Sequence, residues 1–465
     1  MKIKIGLETH VQLNTRTKLF CPCQNPANLA ELEPNTLTCP TCLGLPGSKP
    51  KANRTALEHA IKIALALGCE IASICHFSRK TYFYPDMPKN FQITQYEIPL
   101  ASNGLLEIGG KKIRIKRLHL EEDPARLVHV GGLKGKYTLV DYNRAGIPLV
   151  EIVTEPDFSS PQETRAYIFK LAAILEYLGV WSPKSSAVIK SDANISIEGY
   201  PRIEVKNITG MKEVEQALSY EILRQQNLLR LQGEIKRETR AWNPEIGATE
   251  SLREKEEEEE YGYIFEPDLP QIVIDKRIVA KLKKEIPELP DQKFSRFVSK
   301  YRLTPKLAES LISDRGLAEL FEWLAGRIEA KIAAAWVAGP LKKTLNWHGM
   351  SWEQAGIKTE WVLDVLKLFK AGKLTDINTE MVIRAMVEEK KSPDRIIAER
   401  GLERTKADIT PVIKKVIAEH QKAVEDYKKG QEKAIDFLVG KVIAETKGRV
   451  DAKEIREMLK KFIKK

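Results

Sequence analysis

The chain has 465 residues, of which 43% are hydrophobic and 30% charged; this composition excludes a disordered polymer and allows about three domains. No run approaches the ~18 consecutive apolar residues of a membrane span, and the opening residues alternate like a strand instead of reading as a signal peptide, so a cytoplasmic protein without a membrane partner is expected. Lys and Arg number 75 against 64 Asp and Glu, and residues 401–465 hold 17 against 11, so more than half of the surplus sits in a tail suited to a polyanionic partner.

The first element is a strand. Ile3, Ile5, Leu7, Val11 and Leu13 share one parity with Thr9, while Glu8, His10 and Gln12 share the other. Faces alternate along a strand, so Glu8 and His10 project together, about 7 Å apart; either water or a metal site can face them. Cys21-Pro-Cys23 and Cys39-Pro-Thr-Cys42 follow, with 15 residues between the pairs. Zinc takes four soft ligands in a tetrahedron, and two short knuckles supply them with no position left open for catalysis. The spacing points to structural zinc, ahead of four reduced thiols in a loop or a disulfide. Cys69 and Cys75 fall in the apolar stretch 64–75 and read as core.

An alternating segment from Ile113 ends in His119-Leu-Glu121-Glu122-Asp123. His119 and Glu121 share a face, Glu122 has the parity of Leu118 and Leu120, and the pattern slips near Lys116 and Arg117. Residues 131–136 superficially resemble a phosphate loop, but Tyr137 stands where Ser or Thr is required and the glycine spacing fails. Nucleophile-elbow, dinucleotide and kinase signatures are absent from the sequence. Glu151 sits in the nearly all-apolar run 148–153 and demands a partner, because a lone buried carboxylate is costly. A helix is signposted by Ser160 as N-cap, Pro161 as first residue and Glu163 as capping-box partner, with an apolar stripe through Ile168, Leu171, Ala172, Leu175 and Leu178 and a stop at Gly179. Asp192 and Asn194 share a strand face opposite Ala193, Ile195 and Ile197. Oxygen-rich clusters of this kind suit Mg²⁺; buried salt bridges with the many neighbouring Lys and Arg account for them equally well.

The acidic run Glu254–Glu260 and a Pro-rich stretch to Pro290 close a mainly β region. From Asp291 the periodicity turns helical, and four tryptophans fall between Trp323 and Trp352. Thr410-Pro411, Gly430, Gly448 and Asp451 with Glu454 punctuate a short helical tail. The expected fold class is therefore α+β, with a β-rich domain over 1–290, an all-α domain over 291–400 and a helical tail over 401–465.

Seven motifs occur in order: Gly6-Leu-Glu-Thr-His-Val11, Arg79-Lys-Thr-Tyr-Phe-Tyr-Pro-Asp86, Gln92-Ile-Thr-Gln95, His119-Leu-Glu-Glu-Asp123, Asp141-Tyr-Asn-Arg-Ala-Gly146, Glu151-Ile-Val-Thr-Glu-Pro156 and Ser191-Asp-Ala-Asn194. Together they resemble the B-subunit family of aspartyl/glutamyl-tRNA amidotransferases, and Ala423-Val-Glu-Asp-Tyr427 with Phe437-Leu-Val-Gly440 extend the resemblance through the tail. The resemblance implies a catalytic β-rich cradle with a zinc knuckle, a helical domain and a tRNA-binding tail. It implies a heterotrimer with an amidase subunit, which releases ammonia from glutamine or asparagine into an internal tunnel, and a small third subunit. ATP would phosphorylate the side-chain carboxylate of Glu-tRNA(Gln), Asp-tRNA(Asn) or both, and ammonia would displace the phosphate.

By motif, Glu8, His10, Glu122 and Glu151 are the implied Mg²⁺ ligands, with a bulge or strand end turning Glu122 inward and Glu121 as its alternative. Lys80, Tyr82 and Tyr84 are implied in binding ATP or the aminoacyl end, and Asp192 in holding ATP or a second ion. Two departures stand out. Many members carry Arg-Cys where this chain has Lys190-Ser191, and the zinc cysteines occur in only some members. The competing readings are a non-catalytic tRNA-binding zinc protein, which leaves the acidic cluster unexplained, and a self-sufficient small-molecule ATP ligase, which needs no basic tail.

Overall fold

The structure, a computed structural model, describes residues 2–29, 32–130, 137–183, 187–253, 262–405 and 408–464. Residues 131–136 and the acidic run at 254–260 lie outside the described residues. The chain forms two compact units, Met1–Pro290 and Asp291–Lys465: a large mixed-sheet unit followed by an all-helical one, an α+β chain.

The first unit runs β1 (Ile3–Gln12), α1 (Arg54–Ala66), β2 (Glu70–Ile71), β3 (Ile74–Cys75), β4 (Ser78–Thr81), β5 (Phe91–Thr94), β6 (Ala101–Ile108), β7 (Lys111–Glu122), β8 (Arg126–Val130), β9 (Tyr137–Asp141), β10 (Pro148–Thr154), α2 (Pro161–Tyr177), β11 (Ile189–Ile197), β12 (Ile203–Thr209), α3 (Glu213–Arg230), β13 (Thr239–Asn243), β14 (Ala248–Arg253), β15 (Gly262–Phe265), β16 (Ile272–Val273) and α4 (Lys276–Glu285). Nine strands make one sheet in the order β14-β13-β12-β11-β1-β10-β7-β6-β2, antiparallel except where β12 meets β13. The alternation in β1 decides what each face does. Ile5, Leu7 and Val11 are buried with Ile113, Leu118, Val150 and Ile195 against α1, α2 and α3. Each such side chain contributes ~1.5–3 kcal/mol of burial. A slip of one residue would put Glu8 and His10 into that core, so the register is fixed.

Helix α2 forms as its signals require: Ser160 Oγ accepts from the Glu163 amide, Pro161 opens the first turn, and Ile168, Leu171, Ala172 and Leu175 are buried. The capping box closes one residue early, however. The Glu163 carboxylate accepts from Ser159 N at 2.8 Å and pairs with Lys111, because that ammonium draws it toward β7. Cys69 and Cys75 are core residues. A three-stranded sheet, β15-β4-β5, stands beside the polar face of the large sheet, with β5 packed on β7.

The second unit is helical from Pro290–Tyr301 to Ala452–Lys464. The helix through Trp336 loosens into a π turn over Val337–Leu341 at Pro340, which has no amide proton to give. The last helices enclose a cluster of Ile413, Val416, Leu438, Val442, Ile455 and Leu459. Gly448, just past the helix Lys433–Glu445, has φ +68°, and a Cβ there would lie 2.6 Å from Asn378 Oδ1, so this turn requires glycine. No helix among the described residues is long and apolar enough to cross a membrane.

Candidate functional site

Strands β11, β1, β10 and β7 are adjacent and turn their polar face to a cleft of about 760 Å³. Their register lines up side chains in rows. Lys190, His10, Glu151 and His119 form one row across the four strands. Asp192, Glu8, Val153 and Arg117 form the next, and Gln12, Leu149 and Glu121 lie on the other side of the first. Residues separated by about 190 positions thus meet because each lies two steps from the next on a face whose reverse is buried.

The outcome at β7 corrects one expectation. Opposite the Val153–Thr154 step the register shifts, so Arg117 pairs with Val153 and Ile115 with Thr154, leaving Lys116 as a bulge. The bulge keeps Ile113, Ile115, Leu118 and Leu120 all on the core side and leaves Arg117, His119 and Glu121 in the cleft. It does not turn Glu122 inward. Glu122 faces the other way, where its Oε1 accepts from Lys89 Nζ at 2.5 Å and from Ile93 N at 2.9 Å.

His10, Glu121 and Glu151 converge, with one ligand atom from each within 4.8 Å of the others. His10 Nδ1 lies 3.1 Å from Glu121 Oε1, and Thr94 Oγ1 donates to Glu121 Oε2 at 3.2 Å. His119 Nε2 is 3.1 Å from Glu151 Oε2, and Asn194 Nδ2 donates to Glu8 Oε1 at 3.0 Å. Burial disfavours a charged His10, but the hydrogen bond to Glu121 and the charge of Glu151 outweigh it and push its pKa up to about 10. His119 rises to about 9 against the same burial, chiefly through Glu151. Burial also opposes ionisation of Glu151, yet the His119 charge and hydrogen bond bring it down to about 2. Glu8 is pushed up to about 7 by burial first, then by Glu151 and Asp192. The floor is therefore a concentration of negative charge balanced by two imidazoles, a donor set of the kind that accepts a divalent cation. Asn194 Oδ1, buried and without a hydrogen-bond partner, adds an acceptor beside Glu8.

The second cluster is sulfur-based. The sulfurs of Cys21, Cys23, Cys39 and Cys42 lie within 4.8 Å of one another, and all four thiols are free of disulfides. The Cys39 amide donates to Cys42 Sγ at 3.1 Å, and the buried Lys18 ammonium lies 3.8 Å from that sulfur. Cys21, by hydrogen bonding, and Lys18, by charge, hold Cys42 down to about 5. These sulfurs can hold a metal.

Lys80, Tyr82, Tyr84 and Asp192 all line the cleft, and Asp192 Oδ1 also accepts from the Asn207 amide at 3.1 Å. Tyr263 of β15 stacks on Tyr96, with ring centroids 3.9 Å apart, to make one wall. Asp123, which also lines the cleft, is braced by Arg144, at 2.6 Å through both oxygens, and by Gln12 at 2.5 Å. Sequence reasoning missed Arg117, His119, Lys190 and Tyr263. The shared parity of Arg117, His119 and Glu121 was the available signal for two of them; Tyr263 follows the acidic run and carries no local one.

Comparison with known proteins gives the chain a family. The family model described as the GatB/GatE catalytic domain matches residues 3–280, and the one described as the GatB domain matches residues 319–463. A protein of Methanococcoides burtonii is 44% identical over 464 residues, covering 98% of this chain and 97% of its own. One of Methanospirillum hungatei is 46% identical over 473 residues, covering 99% and 98%, and one of Carboxydothermus hydrogenoformans is 43% identical over 471 residues, covering 98% and 97%. All three are named as B subunits of aspartyl/glutamyl-tRNA(Asn/Gln) amidotransferase.

Proposed function

The chain belongs to the B-subunit family of aspartyl/glutamyl-tRNA(Asn/Gln) amidotransferases, and from that premise we propose that its cleft is where ATP activates the side-chain carboxylate of a misacylated tRNA for amidation. A carboxylate oxygen of Glu-tRNA(Gln) or Asp-tRNA(Asn) bonds to the γ-phosphorus. The bond to the β–γ bridging oxygen breaks, and its electron pair leaves on ADP. Ammonia then attacks the acyl phosphate carbon, expels phosphate and loses a proton to give the amide. The enzyme is a ligase forming a C–N bond with glutamine as amide donor.

The convergence of His10, Glu121 and Glu151 below an open cleft carries this reading. Those three residues would hold Mg²⁺, His10 as a neutral imidazole after the cation displaces its proton, with Glu8 and Asp192 beside them for a second ion or its waters. Bound there, Mg²⁺ would neutralise charge spreading over the phosphate oxygens. The protein's own groups keep the ligands in place: Thr94 orients Glu121, His119 orients Glu151 and Asn194 orients Glu8. Lys80, Tyr82 and Tyr84 are proposed to bind the nucleotide or the aminoacyl end, with the Tyr96–Tyr263 wall limiting water.

Zn²⁺ is proposed for the four cysteines, since a Zn–S bond of ~2.3 Å places tetrahedral sulfurs about 3.8 Å apart and the observed spread accommodates that. The partners proposed are an amidase subunit and a small third subunit in a heterotrimer. Residues 1–290 are assigned to chemistry, 291–400 to a helical domain and 401–465 to binding tRNA.

The test is the assembled complex with ATP, Glu-tRNA and free ammonium, so that the amidase step is bypassed. Hydroxylamine should trap the acyl phosphate as a hydroxamate, and Glu8→Ala should abolish both hydroxamate and Gln-tRNA while glutaminase activity persists. Normal amidation by that variant would move the activating centre elsewhere.

A further inference from the structure

Arg117 is the cleft arginine whose Nε is buried without a partner; Arg202, which also lines the cleft, is exposed. Arg79, Arg114, Arg144 and Arg224 each make paired N–H···O bonds to one carboxylate. Arg117 makes no hydrogen bond to any described residue. Its one ion pair, to Glu151 Oε1, is 4.0 Å long, and its Nε is shut from solvent without a partner. A buried donor left unmade is expensive, and this one lies within the site. The side chain is 29% exposed, and that exposure is to the cleft.

Its place in the grid is specific. Arg117 is two residues from His119 and four from Glu121 on the cleft face of β7, and in the same row as Glu8. Its charge also reaches the Tyr263 phenol on the wall above. A polyanion entering the cleft meets the carboxylates of Glu8, Glu121 and Glu151, and needs a cation whose charge is permanent and whose donors are not already engaged. A guanidinium fulfils both needs, and its planar fork matches two oxygens of one phosphoryl group.

We propose that Arg117 is a catalytic residue of the phosphoryl transfer, its guanidinium binding two γ-phosphoryl oxygens of ATP beside the His10–Glu121–Glu151 cluster. This rests on the carboxylate-activation reading given above. As the carboxylate–phosphorus bond forms and the bond to the bridging oxygen breaks, charge gathers on the equatorial oxygens that Arg117 faces. No proton moves in that step. The arginine stabilises the transferring group, and the leaving electron pair passes to ADP.

Two measurements test it on the assembled complex. The first is affinity for a non-hydrolysable ATP analogue and for ADP, each with Mg²⁺, in wild type, Arg117→Ala and Arg117→Lys. Arg117→Ala should weaken the analogue at least about tenfold, as expected for a lost charged hydrogen bond, and leave ADP unchanged. The second is ammonium-dependent amidation. Arg117→Ala should lose about 10³-fold in kcat with KM for charged tRNA unchanged, and added guanidinium ion should restore part of the rate. Arg117→Lys, which keeps the charge without the fork, should fall between and decides the matter if the alanine variant fails to assemble. Equal weakening of analogue and ADP, unchanged analogue affinity, or a kcat within about threefold of wild type overturns the proposal. If wild type itself forms no acyl phosphate, the activation reading fails instead.

Discussion

Glu121 and Glu122 are one peptide bond apart and have opposite surroundings. Glu121 stands among His10, His119 and Thr94; Glu122 is paired with Lys89, the two side chains 7% and 10% exposed. Glu121→Gln should therefore weaken Mn²⁺ or Mg²⁺ binding and lower ammonium-dependent amidation more than about 100-fold, with little change in Tm. Glu122→Gln should do the reverse: it strands a buried ammonium at a cost of about 3–5 kcal/mol, visible as a lower unfolding midpoint, while divalent affinity stays the same. Calorimetric metal titration and denaturant unfolding of both variants check the pair, and an exchange of the two phenotypes would restore Glu122 as the ligand. Parity alone pointed to Glu121, and family resemblance pointed to Glu122. The physical reason for the ambiguity is Lys116: a bulge shows in sequence only as a slip in alternation, which does not say on which side of it the pattern resumes. Glu8, His10 and Glu151 were legible because each interrupts an apolar alternation with a charge. Arg117 and Lys190 were not, because a basic residue on a strand is ordinarily a solvated one.

At the scale of elements, the cysteine knuckle and α1 make separable claims. The cysteine cluster is legible in the paired spacing alone, since two short loops can bring the four sulfurs together without help from distant strands. One equivalent of zinc per chain is expected by elemental analysis of reduced protein, and Cys39→Ser should lower that content and the unfolding midpoint by more than it lowers the chemistry of the surviving protein. Metal-free wild type with an unchanged midpoint would refute the structural role. Helix α1 carries His59, whose Nδ1 is buried without a partner. Burial, then the neighbouring Lys62 ammonium, hold its pKa down to about 4. An unfolded histidine titrates at ~6.5, so the unfolded chain binds the extra proton. Stability from this group is full above ~6.5 and is lost as pH falls toward 4. Urea midpoints at pH 7 and pH 5 should therefore converge in His59→Gln relative to wild type; an equal acid loss in both would show that the imidazole charges freely in the fold.

At the scale of the whole molecule, the chain carries charge of two different kinds. The cleft sets Arg117, Lys190 and Arg202 among carboxylates, a mixed field that suits a reacting phosphoryl group. The tail is different. Its helices enclose their own apolar cluster, from Ile409 to Ile463, and Lys428, Lys429, Lys433, Lys441 and Lys447 are exposed on them or in the turns between them, with none of the five in an ion pair among the described residues. By contrast Lys415, Arg456 and Lys460 are each paired with a carboxylate. With 17 Lys and Arg against 11 Asp and Glu over 401–465, the tail keeps a net positive charge, and we propose that these five lysines offer it to phosphates. Such a surface binds phosphates without regard to sequence and weakens with salt as condensed counterions are released. Removing 406–465 should leave the first unit folded, because that unit's core is built entirely from its own strands and helices. It takes away the Gly448 carbonyl that accepts from Thr375 and the Arg449 carbonyl that accepts from Thr405, so some loss of stability in the second unit is expected. Affinity for charged tRNA should fall, and the slope of log K against log salt should shrink by ~0.7–0.9 for each phosphate no longer neutralised. The same change, without truncation, should follow from Lys428→Gln, Lys429→Gln and Lys433→Gln together, with divalent binding in the cleft intact. Measured at two ionic strengths, equal affinities and equal slopes for wild type and the triple variant would mean that the tail's charge only keeps the bundle in solution.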